Sequence, residues 1–385
     1  MLKSNGKQSK IRRKIYLDYA SSALSTSANP GAIHELGVKE KSKLENARVR
    51  VAQILNARAF EIVFTSGATE SNNLAILGMP RGHIVTTNIE HASVLETCKH
   101  RGEVTYVEVE ANGIVNSEKV KKALRPDTIL VSVMYANNEI GTIQPIREIA
   151  KEIRHFNKLH SRNTGSGAKQ IFFHTDATQA TNYLPLNVIE LGVDMLSLNS
   201  AKIYGPKGVG ALYVKKGTPI SPIMFGGEQE GGLRPGTENV AGILEFTQAL
   251  ETIEKIKSKE VKRLTLLRDY FINKLHFMGV IINGDLQNRL PNNINITIPK
   301  IPSDLLVIEL SARGVMASAK SACKSGDGKD SHVVRALRTA DGLPAEAKAS
   351  AGSLRFSLGR ETTKRDIDYT LRALRYILEK LQKWY

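Results

Sequence analysis

Between Ile62 and Val214 short apolar runs of β type alternate with helical patterns, and this rhythm constrains the fold more than any other feature. The runs are Ile62-Val63-Phe64, Ile84-Val85-Thr86, Val104-Thr105-Tyr106-Val107, Ile129-Leu130-Val131-Ser132-Val133, Ile171-Phe172-Phe173, Met195-Leu196-Ser197 and Gly210-Ala211-Leu212-Tyr213-Val214. Strands joined by crossover helices pair in parallel. The pattern predicts an α/β fold with a mostly parallel, seven-stranded sheet covered by helices. In such sheets ligands sit at the carboxyl ends of the strands, where the connecting loops converge.

Around Glu238 to Arg263 a long helical pattern leads into a second region. There Ile294-Asn295-Ile296-Thr297-Ile298 and Leu354-Arg355-Phe356-Ser357 are interleaved with helices, ending in the amphipathic segment Asp366 to Lys383. The expected division is a basic N-terminal tail over 1–14, a large domain over 15–250 and a smaller α+β C-terminal domain over 251–385. The run Ser161 to Lys169 is polar and glycine-rich and reads as an exposed loop. A length of 385 residues is enough for two cores.

No apolar run approaches the ~20 residues that span a bilayer. Met1 to Lys14 is basic and polar with no apolar stretch behind it, so it fits neither an export signal nor an anchor, and a cytoplasmic protein is expected. Two cysteines, Cys98 and Cys323, stand too far apart in the chain to suggest a disulfide framework or a clustered metal site. The formal charge of +16 is spread along the chain without aromatic interleaving or a nucleic-acid motif. It reads as a lysine-rich composition rather than direct nucleic-acid binding.

Chemistry is suggested first by Asp194 to Val214, D-M-L-S-L-N-S-A-K-I-Y-G-P-K-G-V-G-A-L-Y-V, which sets Lys202 at an apolar strand end before a glycine-rich turn. A lysine buried beside a cationic group loses its proton easily and can hold an aldehyde cofactor as an imine. Pyridoxal phosphate is such an aldehyde. A lone strand lysine is more often a snorkelling surface residue, so its partners decide.

Those partners occur in order along the chain. Phe64-Thr65-Ser66-Gly67-Ala68-Thr69-Glu70-Ser71-Asn72-Asn73 is a strand followed by small residues and a helix, a phosphate cradle in which Thr69 adds a donor. Plain N-capping by Ser66 or Thr69 is the alternative. Phe173-His174-Thr175-Asp176-Ala177-Thr178-Gln179 sets a carboxylate at a strand end, 26 residues before Lys202. Asp176 can pair with a protonated pyridine nitrogen and Gln179 can donate to a phenolic oxygen, although a strand-end aspartate is also a common helix cap. His91 follows another strand and is placed to stack on a ring or act as acid or base, or to serve as a structural loop histidine. Met134 to Gly141 ends a strand with the side-chain amides Asn137 and Asn138, which either bind a carboxylate or form a turn. Arg355 lies between apolar neighbours and needs an anion, either a substrate carboxylate or an ion-pair partner. Cys323, in S-A-C-K-S-G-D-G-K-D, sits among glycines and cations that favour a reactive thiolate. Cys98, inside a helical pattern, reads as structural.

Taken together these motifs resemble the cysteine desulfurases of the class V aminotransferase group, within the fold-type-I pyridoxal phosphate enzymes. The resemblance runs from Tyr16-Leu17-Asp18-Tyr19-Ala20 to the C-terminal helix and includes E-H-A-S-V, N-N-E-I-G-T-I-Q-P-I, D-A-T-Q, K-I-Y-G-P-K-G-V-G-A-L, G-G-E-Q-E-G-G-L-R-P-G-T-E-N, S-A-C and R-F-S-L-G-R. It implies that Ala68 and Thr69 hold the cofactor phosphate, His91 stacks on the ring, Asp176 and Gln179 tune it, and Lys202 forms the imine. Asn138 and Arg355 would grip the carboxylate of L-cysteine, and Cys323 would take its sulfur as a persulfide, leaving L-alanine. Thr237 would reach the phosphate of a neighbouring subunit, implying a homodimer. An iron–sulfur scaffold or a tRNA-thiolating enzyme would accept the sulfur.

Two departures from the family pattern stand out. Where relatives carry S-x-H-K, this chain has Asn199-Ser200-Ala201-Lys202, so Asn199 or Ser200 would replace a phosphate donor. The stretch from Ala20 to Asn29 lacks a helix found in relatives. The rival readings are another class V activity, such as selenocysteine lyase or an aminotransferase, and a non-catalytic basic adaptor on the same fold.

Overall fold

The computed structural model describes residues 17, 18, 20, 21, 28–161, 169–299, 301–319, 331–340 and 353–381. Cys323, most of the Ala20–Asn29 stretch, the basic tail and most of the Ser161–Lys169 run lie outside them. All seven expected strands form one sheet: β1 (Ile62–Thr65), β2 (His83–Thr87), β3 (Val104–Val107), β4 (Thr128–Ser132), β5 (Phe172–Asp176), β6 (Met195–Asn199) and β7 (Gly210–Val214). Their order is β1-β7-β6-β5-β4-β2-β3. Pairing is parallel from β3 through β6, with Ser132 opposite His174 and Asp176 opposite Ser197. Only β7 runs against its neighbours β1 and β6.

The inner strands β4 and β5 are buried along their whole length because both faces of the sheet are covered, whereas the edge strand β3 leaves Tyr106 exposed. Ile62, Phe64, Phe173, Leu196, Leu198, Ala211 and Tyr213 join one core cluster. Their neighbours Val63, Phe172, Met195, Leu212 and Val214 point the other way into a second. Helices α1 (Glu35–Leu55), α4 (Ser117–Ala123), α5 (Ile146–Ser161) and α6 (Val188–Leu191) pack into the first cluster, and α2 (Ala68–Leu77) and α3 (Ala92–Arg101) into the other. Cys98 is fully buried in α3, and its thiol is pushed up to about 12 by burial first and by Glu90 second, which leaves it inert.

Helix α7 (Val240–His276) is 37 residues long and continues well past the Arg263 expected from sequence. Its side chains from Val240 to Ile253 pack into the core beneath the large sheet, and those from Leu264 to Leu275 pack into a separate one. That separate core is built on a small antiparallel sheet, β10 (Ser353–Ser357), β9 (Asn293–Thr297) and β8 (Ile281–Ile282), with α8 (Ser303–Ser311) and α10 (Lys364–Leu381). One helix of the C-terminal region, α9 (His332–Ala340), instead sends Val333, Val334 and Leu337 into the first core. Among the described residues no helix is long and apolar enough to cross a membrane, and no cluster has the make-up of a metal site.

Candidate active site

Since β7 is antiparallel to both β1 and β6, β1 and β6 run the same way, and the ends of β1, β2, β4, β5 and β6 meet at one edge of the sheet. A cavity of about 280 Å³ opens there. The expected residues Ala68, Thr69, His91, Asn138, Asp176 and Gln179 line it, and Asn199, Lys202 and Arg355 complete the wall.

At one end α2 starts on Gly67, whose φ of 147° belongs to glycine and whose position carries no side-chain cap. Neither Ser66 nor Thr69 caps the helix, contrary to the plain alternative. Gly210 approaches this turn so closely that a Cβ would lie 2.7 Å from the Gly67 Cα. An uncapped helix start with small residues around it suits an anion.

Asp176 ends β5 almost fully buried. Its Oδ1 accepts from the Thr178 N–H at 2.9 Å and its Oδ2 from Asn72 Nδ2 at 2.8 Å. Two residues earlier on the strand, His174 is bonded by Ser132 Oγ at 2.9 Å and Ser197 Oγ at 3.0 Å. Burial pushes this imidazole down to about 4 against the pull of Asp176, so it stays neutral. Glu90 is fully buried nearby, and desolvation raises its carboxyl to about 8, with the hydrogen bonds from Thr87 and Met134 opposing and Asp176 adding to the rise. His91 is the N-cap of α3, where Nδ1 accepts the Ser93 N–H, and it lines the cavity as well, so the structural and functional readings of this residue coincide.

Lys202 follows the end of β6 on a short 3-10 turn, Ser200–Lys202, as its place after the strand suggests, but it is exposed rather than buried, and it lines the cavity from that turn. The same turn separates the two replacement donors. Asn199 lines the cavity, with Oδ1 accepting the Ala201 N–H. Ser200 packs instead against Gly205, where even a methyl group would come within 2.3 Å of its Oγ, and it does not line the cavity. Thr237 is exposed on the loop before α7 and is not brought to this cavity.

Arg355 reaches the cavity from β10 and donates to the Asn138 carbonyl. No salt bridge satisfies it among the described residues, and its buried Nε has no partner there. The sequence reading passed over Ser93, Met134, Thr178, Asn292, Asn293 and Ser357, which also line the site. The amide pair in P-N-N-I-N was the visible signal, and among the described residues neither Asn292 nor Asn293 has a partner for its buried Oδ1. These residues fit pyridoxal phosphate: an uncapped helix start for its phosphate, a buried carboxylate for its ring nitrogen and a lysine amine on the wall.

Fold and site together define an α/β enzyme with its chemistry at the strand ends. The model of the class-V aminotransferases matches residues 10–370, and the chain belongs to that family. It is 43% identical to cysteine desulfurase IscS of Dictyoglomus turgidum, covering 97% of this chain and 96% of that protein. It is 42% identical to IscS of Methanosarcina thermophila, covering 92% and 86% respectively. Among solved structures, a NifS-like protein superposes with a TM-score of 0.81 at 35% identity, covering 92% of each chain. A structure described as SspA in complex with cysteine gives a TM-score of 0.68 at 33% identity, over 89% of this chain and 92% of that one.

Proposed function

We propose that this protein is a pyridoxal phosphate-dependent cysteine desulfurase, converting L-cysteine and an enzyme thiol to L-alanine and an enzyme persulfide. The observation that carries this reading is the convergence of Lys202, Asp176, His91 and Arg355 on one cavity in a chain so similar to IscS proteins. When bound, pyridoxal phosphate supplies an electron sink that weakens bonds of an attached amino acid. The first N–H groups of α2, with the Thr69 hydroxyl, would hold its phosphate. Asp176 would keep the ring nitrogen protonated, Gln179 would donate to the phenolic oxygen, and His91 would stack on the ring. Lys202 would anchor the cofactor through its amine and, with substrate bound, would move protons at the substrate carbons. Its exposed position on the turn leaves it free to swing between these tasks.

Asn138 and Arg355 hold the substrate carboxylate, which aims the thiol. The Cys323 thiolate attacks the substrate sulfur, forming an S–S bond as the C–S bond breaks, and a proton completes the methyl group of alanine. The persulfide then passes to an acceptor protein for iron–sulfur cluster assembly or tRNA thiolation. In this reading the enzyme is a cytoplasmic homodimer in which Thr237 completes the neighbour's phosphate site. Residues 15–250 form the cofactor domain and 251–385 the domain that carries the thiol.

Incubating purified protein with L-cysteine and pyridoxal phosphate should release alanine and, with a reductant, sulfide. Borohydride should leave a pyridoxyl group on Lys202, and its absence there sinks the proposal.

A further inference from the structure

We propose that Asn72 is a positioning residue which, through Ser93, links the Asp176 carboxylate to His91 and fixes that imidazole as the Nε2–H tautomer, so that His91 offers the cavity a hydrogen-bond donor and not a base. The inference rests on the cofactor reading above but is built from protein atoms alone. Asn72 is fully buried one turn into α2. Its Nδ2 donates both hydrogens, one to Asp176 Oδ2 at 2.8 Å and one to Ser93 Oγ at 2.9 Å.

The carboxylate decides which way this amide faces. A flipped amide would set its oxygen against the Asp176 carboxylate, which cannot donate, whereas the present orientation leaves Oδ1 without a partner among the described residues. The Ser93 Oγ lies 2.8 Å from His91 Nδ1, and because the Ser93 N–H makes that nitrogen an acceptor, the hydroxyl that accepts from Asn72 turns its own hydrogen to it. The Ser93 backbone N–H is aimed at the same nitrogen at 3.2 Å. Two donors converging on Nδ1 leave no room for a proton, so a neutral ring carries its hydrogen on Nε2. Nε2 has no partner among the described residues and remains available to a ligand. A nitrogen that already bears hydrogen cannot take a proton from substrate, and Lys202 is left as the proton-moving group.

Nitrogen-15 NMR of the full chain labelled at its nine histidines tests this, with and without pyridoxal phosphate, using H91N to identify the resonances. The expected result is a protonated Nε2 and a bare Nδ1 for His91 in both preparations. Asn72→Ala and Ser93→Ala should each produce a tautomer mixture and lower kcat on the order of tenfold with little change in KM, and Ser93→Thr, which keeps the hydroxyl, should restore both. An Nδ1–H ring in the wild type, or populations unmoved in both alanine variants, overturns the inference. The tautomer is read without turnover, so a protein that shows it but releases no alanine refutes the desulfurase reading alone.

Discussion

Arg355 donates through Nη1 to the backbone carbonyl of Asn138 at 2.9 Å, joining the small sheet to the loop after β4 across 217 residues of chain. Burial lowers the guanidinium from its usual range, with the charge of Glu139 pulling the other way, and its Nε is left unpaired among the described residues. A partly dry cation with a spare donor is an anion site, and the planar fork matches a carboxylate.

Arg355→Lys keeps the charge but loses the fork. Its kcat/KM for L-cysteine should fall on the order of a hundredfold, mostly through KM, and Arg355→Leu should fall further. Steady-state kinetics that leave KM unchanged in both variants would show that this residue does not hold the substrate carboxylate.

The strands were legible because each is a short apolar run between helical patterns, and the site because its residues fall just after such runs. What local pattern cannot carry is pairing across the chain. Asn72 and Asp176 meet over 104 residues, and nothing near either one announces the other. The burial expected for Lys202 failed for a related reason: the apolar run before it does not show that the Asn199 side chain, by accepting the Ala201 N–H, starts a turn that leaves the lysine exposed. Helix α7 outran its expected end because Leu264, Phe271, Ile272 and Leu275 keep the helical period while facing a different core.

The strand that delivers the phosphate loop is anchored by an ion pair. Arg48 meets Glu230 through two bonds, of 2.6 and 2.8 Å, and Glu230 also accepts the Phe64 N–H of β1 at 2.8 Å. Glu230→Ala leaves the buried Arg48 with only the half-exposed Glu45 and the Ile62 carbonyl, and leaves the Phe64 N–H unpaired, so stability should drop by about 3 kcal/mol in urea titrations. A loss below about 1 kcal/mol, the range of exposed pairs, would mean that water satisfies Arg48.

Cys323 is proposed only to receive sulfur, not to bind cofactor. Cys323→Ser should therefore retain the visible absorbance of bound pyridoxal phosphate while alanine release from L-cysteine falls at least on the order of a hundredfold. Full turnover in this variant would favour an aminotransferase or lyase that needs no enzyme thiol.

The Glu90 carboxyl accepts from Thr87 Oγ1 at 2.6 Å and from the Met134 N–H at 3.0 Å, which ties the loop bearing His91 to the end of β4. Because its value rises from 4.5 to about 8 in the fold, the native state holds a proton there that the unfolded chain has already released. The stability it contributes is fully present below pH 4.5 and is lost as the pH climbs through about 8. Glu90→Gln keeps a neutral group of the same shape and removes this titration. Between pH 5 and pH 9 the wild type should lose stability relative to Glu90→Gln, by an amount on the order of a few kcal/mol, since the other titrating groups cancel in the difference. Urea unfolding of both proteins across that range measures it, and parallel curves would mean that Glu90 is ionised in the native fold.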